Sequence, residues 1–320
     1  MMRILVTGGL GFIGMNFINY WLSRYEDEIL NLDLVTYASN SEKFIVNEKS
    51  GNYEFVKGDI CDPPLVKRLI KDVDCVVNFA AQSHVDNSIT DSSEFIRTNI
   101  MGTYVLLEAI RDADARIHHI STDEVFGALN IGDPDGFTEF SCYRPKNPYS
   151  ATKASADHLV NAFVNTYGIK ATISNCSNNF GPLQHPEKLI PKTILKMLSG
   201  KKVELYGDGK QIRDWIYVED HCSAIDTILT KGKIGESYLI GAQNERTNIE
   251  VVQTIAEILE LNSEDAVEFI EDRPGHDRRY AINANKMRNE LGWNPKFNFT
   301  DAMRKSVEFY RNNFNFFLHH

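Results

Sequence analysis

Apolar positions along the chain follow two rhythms that take turns. Short runs rich in branched residues read as strands: Arg3 to Thr7, Glu28 to Leu32, Tyr53 to Lys57, Cys75 to Phe79, Ala115 to Ile120 and Ala171 to Asn175. Between them lie helical patterns. The first runs through Phe17, Ile18, Trp21 and Leu22; the others cover Pro63 to Lys71, about Ser92 to Arg111 and about Tyr149 to Tyr167. Such alternation predicts an α/β fold with a doubly wound parallel sheet. Asp133 to Pro148, rich in Pro, Gly and Asp, predicts a loop. Past Asn175 the pattern loosens. Helices are expected at about Lys188 to Ser199, Val218 to Leu229, Ile249 to Glu260 and Ala284 to Leu291, with short strands between. This divides the chain into a first domain over 1–174 and a smaller one over 175–320, with some later segments returning to the first.

Composition narrows the class. The chain has 320 residues, 42% hydrophobic and 24% charged, which suits a soluble globular protein with a sizeable core. A net charge of −10 argues against nucleic acid or an anionic membrane as partner. The apolar run near the N-terminus is broken by glycines and followed by Asn16 and Asn19, so it reads as a buried strand and helix rather than a leader. No apolar run is long enough to span a membrane. Five cysteines, widely spaced and without C-x-x-C, suit a reducing, cytoplasmic compartment. His84, His118, His119 and His221 lack ligand spacing, so no metal site is expected.

Three stretches carry candidate chemistry. Gly9, Gly11 and Gly14 fit G-x-G-x-x-G between the first strand and its helix, and Asp33 ends the next strand, 19 residues past Gly14. Glycines allow a pyrophosphate close to a helix N-terminus, and the acid suits a ribose 2′-hydroxyl; the expected cofactor is NAD rather than NADP. Ile120-Ser121-Thr122-Asp123-Glu124 then sets a hydroxyl and two adjacent carboxyls where a strand should end, the edge at which such sheets bind ligands. The bland reading of that stretch is a turn. Two carboxyls there can also divide into acid and base. Finally, Tyr149 and Lys153 are four apart on one helical face, where an ammonium favours the phenolate.

Together these stretches resemble the extended short-chain dehydrogenase/reductases, and within them the sugar-nucleotide 4,6-dehydratases. The resemblance covers nearly the whole chain. It rests on Thr7 to Gly14, Ser83-His84-Val85-Asp86, Ser121 to Val125, Pro148 to Ser155, Cys176 to Pro182, Pro186 to Pro191, Tyr206-Gly207-Asp208-Gly209, Arg213-Asp214-Trp215 and Asp272 to Tyr280. It implies a Rossmann-type sheet with a smaller C-terminal α/β substrate domain, a nucleotide-sugar substrate and a homodimer built on the 92–111 and 149–167 helices. It also implies roles. Tyr149, held near its phenolate by Lys153, takes the proton of the sugar 4-hydroxyl, and Thr122 holds that oxygen. Glu124 removes the C5 proton and Asp123 protonates the departing 6-hydroxyl.

Further residues follow from the same resemblance. Gly8, Gly11, Phe12, Ile13, Gly14, Asp33, Asp59, Ile60, Ala80, Thr98 and Asn179, with Tyr149 and Lys153, line the NAD site. Ser83, Thr122, Asn178, Lys188, Leu189, Tyr206, Arg213, Asn248, Arg273 and His276 hold the nucleotide-sugar. Arg213 and Arg273 suit a diphosphate, which guanidinium pairs bidentately. Trp215, Tyr217 and Cys176 read as core. Two positions depart from the family: Gln82 stands where it usually has Glu, and Asn87 where it has Arg. The expected substrate is dTDP-glucose; UDP-glucose and UDP-N-acetylglucosamine stay open. A 4-epimerase on the same scaffold is the alternative reaction, and a non-catalytic NAD-sensing scaffold the alternative class.

Overall fold

The structure, a computed structural model, describes residues 1–45, 51–263, 266–272 and 276–318. Seven parallel strands form the main sheet: β1 (Arg3–Thr7), β2 (Glu28–Asp33), β3 (Tyr53–Lys57), β4 (Cys75–Asn78), β5 (Arg116–Thr122), β6 (Ala171–Cys176) and, from late in the chain, β10 (Ser237–Ile240). Their order is β10-β6-β5-β4-β1-β2-β3. The order reverses at β1, and a crevice opens there at the carboxyl ends of the strands. Both faces are buried, which explains the nearly continuous apolar strands. Ile4, Val6 and Val77 face one core, and Leu5, Leu30 and Val76 face the other.

β7 (Asn178–Phe180), β9 (Ile212–Tyr217) and β11 (Glu245–Thr247) make a three-stranded sheet, and β8 (Val203–Tyr206) pairs with β12 (Val267–Ile270). The helix Phe299–Asn312 closes this part, a helix absent from the expected elements. It buries Phe299, Ala302, Met303, Ser306, Val307 and Tyr310, a helical stripe starting at the Asn298 cap.

Two departures from the expected elements bear on the site. β5 runs on through Ser121 and Thr122, because both still pair with β6, opposite Asn175 and Cys176. The single helix expected over 92–111 is instead a short turn at Ser93–Phe95, a π-helical stretch Ile96–Gly102 and an α-helix Thr103–Arg111. The wide stretch has local causes. Asn99 turns inward to accept from the Gln82 N–H (2.8 Å) and to donate to Thr152 (2.9 Å). A Cβ at Gly102 would stand 2.3 Å from Ile60 Cδ1. Such bulges gather at functional sites.

Candidate active site

A cavity of about 330 Å³ opens at the carboxyl ends of β1, β4 and β5. Gly8 leaves β1 at φ +69°, and a Cβ there would lie 2.7 Å from the Ala80 backbone; a Cβ at Gly14 would lie 2.4 Å from the Gly8 carbonyl. Only glycine lets these segments touch. The helix Phe12–Leu22 starts at Gly11 with no side-chain cap and no acid in its first turn. Its first N–H groups, with the dipole behind them, therefore suit a pyrophosphate. At the end of β2, Asp33 Oδ2 accepts from Leu10 N–H (2.9 Å), and Oδ1 from Val35 N–H (2.8 Å) and Ser39 (3.1 Å). The carboxylate is held facing the cavity, where a ribose hydroxyl fits and a 2′-phosphate would be repelled. These residues fit NAD. Asp59, Ile60, Ala80, Thr98 and Asn179 line the same cavity.

The reacting end lies against β5. Thr122 ends the strand and caps the turn after it, accepting from Glu124 N–H at 3.3 Å. That turn sends Asp123 inward, 2% exposed, and leaves Glu124 half-buried on the same wall. Burial, then the Glu124 and Asp214 carboxylates, holds Asp123 well above the ordinary carboxylic-acid range. Asp123 Oδ2 is buried with no hydrogen-bond partner, as an acid waiting for an acceptor would be. Glu124 Oε2 accepts from Asn147 Nδ2 (3.3 Å), and Asn147 Oδ1 also caps the Pro148–Tyr167 helix through Ser150 N–H (2.8 Å). One residue thus fixes both a carboxyl and the helix that carries Tyr149 and Lys153.

Tyr149 and Lys153 both reach the cavity. Lys153 Nζ donates to the Ile120 carbonyl (2.7 Å). Burial, then the charge on Glu124, holds the Tyr149 hydroxyl well above the usual phenol range.

The expected sugar contacts separate into two groups. Ser83, Asn178 and Lys188 line the cavity, with Lys188 Nζ donating to the Ser83 carbonyl (3.1 Å). Leu189, Tyr206, Arg213, Asn248 and His276 are not among its lining residues. Leu189 instead begins the helix Leu189–Leu198. Arg213 is buried, donating to the Ile212 and Asp277 carbonyls (2.8 and 3.0 Å) and stacking over Tyr280. Its charge opposes the rise at Asp123, so it acts at the edge of the reacting end. Tyr206 and His276 meet edge to face, His276 Nδ1 lies 2.6 Å from Asp272, and Gln211 joins Asp272 (3.1 Å) to the Asn248 N–H (3.0 Å). Arg273 lies outside the described residues.

Tyr37, His185 and Glu187, to which the sequence reading gave no role, join His84 and Asn87 beside the cavity. Glu187 Oε2 accepts from the Tyr37 hydroxyl (3.3 Å) and lies 3.7 Å from both His84 and His185. Asn87 donates to Tyr37 (3.0 Å), and Gln82 lines the cavity with its backbone fixed by Asn99. The signal was the Pro186-Glu187-Lys188 run, quoted above only as resemblance.

Comparison with known proteins agrees with this geometry. A family model described as GDP-mannose 4,6 dehydratase matches residues 5–306. The chain is 48% identical to dTDP-glucose 4,6-dehydratase 1 of Escherichia coli over 98% of this chain and 93% of that one. Among solved structures, DesIV, a dTDP-glucose 4,6-dehydratase from Streptomyces venezuelae with NAD and TYD bound, superposes with a TM-score of 0.95 at 41% identity, covering 98% of each chain. The dTDP-glucose 4,6-dehydratase of Bacillus anthracis in complex with NAD gives 0.92 at 44% identity over 99% of each.

Proposed function

The chain belongs to the GDP-mannose 4,6 dehydratase family, and from that premise and its site we infer that it is an enzyme catalysing the NAD-dependent 4,6-dehydration of dTDP-glucose. It is a hydro-lyase, and its product is dTDP-4-keto-6-deoxyglucose. The observation that carries the reading is the strand end Thr122-Asp123-Glu124. It brings a buried carboxyl held in its acid form and a second, less buried carboxyl to the cavity that Tyr149 and Lys153 also face. An epimerase, which moves no water, has no use for that pair.

Each side chain then has a role. Tyr149, once it has given up its own proton, takes as the phenolate the proton of the sugar 4-hydroxyl, whose oxygen Thr122 holds. NAD⁺ held by the residues of the glycine turn and Asp33 would supply the hydride acceptor for C4 and the hydride donor for C6. With C4 a ketone, the C5 proton is acidic and Glu124 removes it; C5 regains a proton when C6 receives the hydride. Asp123 gives its proton to the 6-hydroxyl, which leaves as water. Opposite protonation states on adjacent carboxyls follow from Asp123 being the deeper of the two. Ser83, Asn178 and Lys188 hold the hexose side. Arg213 borders it, and Tyr206, Asn248, His276 and Arg273 hold the nucleotide. In this reading residues 1–174 form the NAD-binding domain and 175–320 mainly the nucleotide-sugar domain.

We also propose a cytoplasmic homodimer. Ile96, Met101, Tyr104 and Tyr167 are exposed apolar residues on the 93–111 and 148–167 segments, a surface suited to pairing with a second copy. The described cysteines are all unpaired, and no described helix is long and apolar enough to cross a membrane.

The test is separate incubation with dTDP-glucose, UDP-glucose and UDP-N-acetylglucosamine, followed by mass spectrometry. Loss of one water is expected from dTDP-glucose. Conversion to an isomer of unchanged mass would make the protein an epimerase, and faster water loss from a UDP-sugar would reassign the nucleotide.

A further inference from the structure

Tyr149, Lys153 and Asp157 succeed one another at four-residue intervals on the inward face of the Pro148–Tyr167 helix, at 9%, 4% and 0% exposure. Two of them have roles above; Asp157 has none. We propose that Asp157 is the buried counter-ion of Lys153, and so a positioning residue for the proton transfer at Tyr149. This rests on the reading of Tyr149 and Lys153 given above.

The surroundings of Asp157 fit an anion. Its Oδ2 accepts from Ser121 Oγ (2.8 Å), the Tyr143 hydroxyl (2.9 Å) and Asn175 Nδ2 (3.1 Å). Its Oδ1 lies 3.5 Å from His119 Nε2. The tautomer of His119 follows from the next link. Thr7 donates to Asn78 Oδ1 (2.6 Å), so Asn78 Nδ2 is the group 3.1 Å from His119 Nδ1, and it donates there. Nδ1 therefore accepts, and the ring proton sits on Nε2, facing Asp157. Burial keeps that ring neutral. Three donors bond Oδ2, and the His119 N–H faces Oδ1 at 3.5 Å without completing a hydrogen bond.

Lys153 needs such a partner. Its Nζ donates to a neutral carbonyl, and a buried ammonium without an anion is costly. Burial opposes both charges, and each group is the largest influence favouring the charge on the other. The other titratable groups around the pair serve less well. Tyr149 and Cys176 are held neutral, the latter with its thiol pushed up to about 12 by burial. His118 behind the strand is kept neutral by burial. Asp123 is held as an acid, and Glu124 faces the cavity. Asp157 also braces the reacting end, because Asn175 Nδ2 donates to the Thr122 carbonyl as well (3.2 Å).

Two measurements test this. The first needs no turnover. In Lys153→Met, Asp157 would be a buried carboxylate with no counter-charge, and its folded pKa would rise further above the unfolded value. A group raised in this way destabilises the fold as pH rises through that pKa. The Tm gap between parent and Lys153→Met should therefore widen from pH 5.5 to pH 8. A gap constant across that range would overturn the proposal, since removing the ammonium would then leave the titration of Asp157 unmoved. The second follows the C4-oxidation step as NADH formation, in an Asp123→Asn background so that loss of the dehydration acid does not shape the profile. Asp157→Asn should move the alkaline limb of that step down by about one pH unit, because Lys153 would lose its proton sooner. Tyr143→Phe, which removes a donor but no charge, should lower Tm and leave the limb in place. An unmoved limb in folded Asp157→Asn, or an equal shift in Tyr143→Phe, would reduce Asp157 to a packing role. Failure of the parent to release water from dTDP-glucose would sink the functional reading and leave the stability result standing.

Discussion

The cofactor side and the sugar side of this protein are built by different means. On the cofactor side the site is framed by backbone: a glycine turn, an uncapped helix start and strand ends already fixed by the sheet. Every residue expected there lines one cavity. On the sugar side the proposed contacts are side chains on segments far apart in sequence. Three of the expected residues reach the cavity beside Thr122, while Tyr206, Asn248 and His276 gather around Asp272 on a separate patch. A backbone-built site tolerates little change at a few positions. A side-chain-built site spreads its cost over many residues, each worth less.

The sharpest break is at Gly14. Gly14→Val places a branched side chain where a bare Cβ already comes within 2.4 Å of the Gly8 carbonyl. The turn must open, and bound NAD should disappear from the purified protein, with turnover reduced by more than about 10³-fold. Absorbance of the released cofactor checks this; a variant that keeps its NAD would show that the turn is not the cradle.

Next in size is the reacting end, where the two sides meet. Asp123→Asn keeps the shape of the buried group and removes its proton. Water loss should slow by about 10²–10³-fold while C4 oxidation continues, so NADH accumulates. Rapid-mixing absorbance separates the steps. Equal slowing of both would move Asp123 from acid to a general electrostatic role.

How much of this was legible follows the same divide. The parallel sheet, the glycine turn and Asp33 could be read because backbone rules impose a period and a spacing. The end of β5 was set two residues short because Ser and Thr signal turns, whereas pairing with β6 carries the strand through Thr122. The π-helical stretch has no sequence period of its own; Asn99 and Gly102 produce it through contacts with Gln82, Thr152 and Ile60. Local spacing brings Tyr149 and Lys153 to the cavity, whereas the Lys153 bond to the Ile120 carbonyl and the rise that burial imposes on the Tyr149 hydroxyl depend on tertiary packing. Asp157 sat in plain view one turn further on, without a rule to select it. Its role depends on Ser121, Tyr143, Asn175 and His119 converging from separate elements.

The smallest expected effect sharpens the sugar side. His276 is held by Asp272 at 2.6 Å and packs edge to face on Tyr206, away from Tyr149 and the two carboxyls. If this patch grips the nucleotide, binding there is as strong in the ground state as in the transition state. His276→Asn should then raise KM for dTDP-glucose about tenfold, the loss of about 1.4 kcal/mol of uniform binding, with kcat changed by less than about twofold. NAD content should not change, because no cofactor contact is altered. Steady-state kinetics on the holoenzyme decide the matter. A fall in kcat at constant KM would place the patch in the chemistry and erase the separation between gripping and reacting residues. An unchanged KM would remove His276 from the substrate contacts and leave the grip to the remaining residues of the patch.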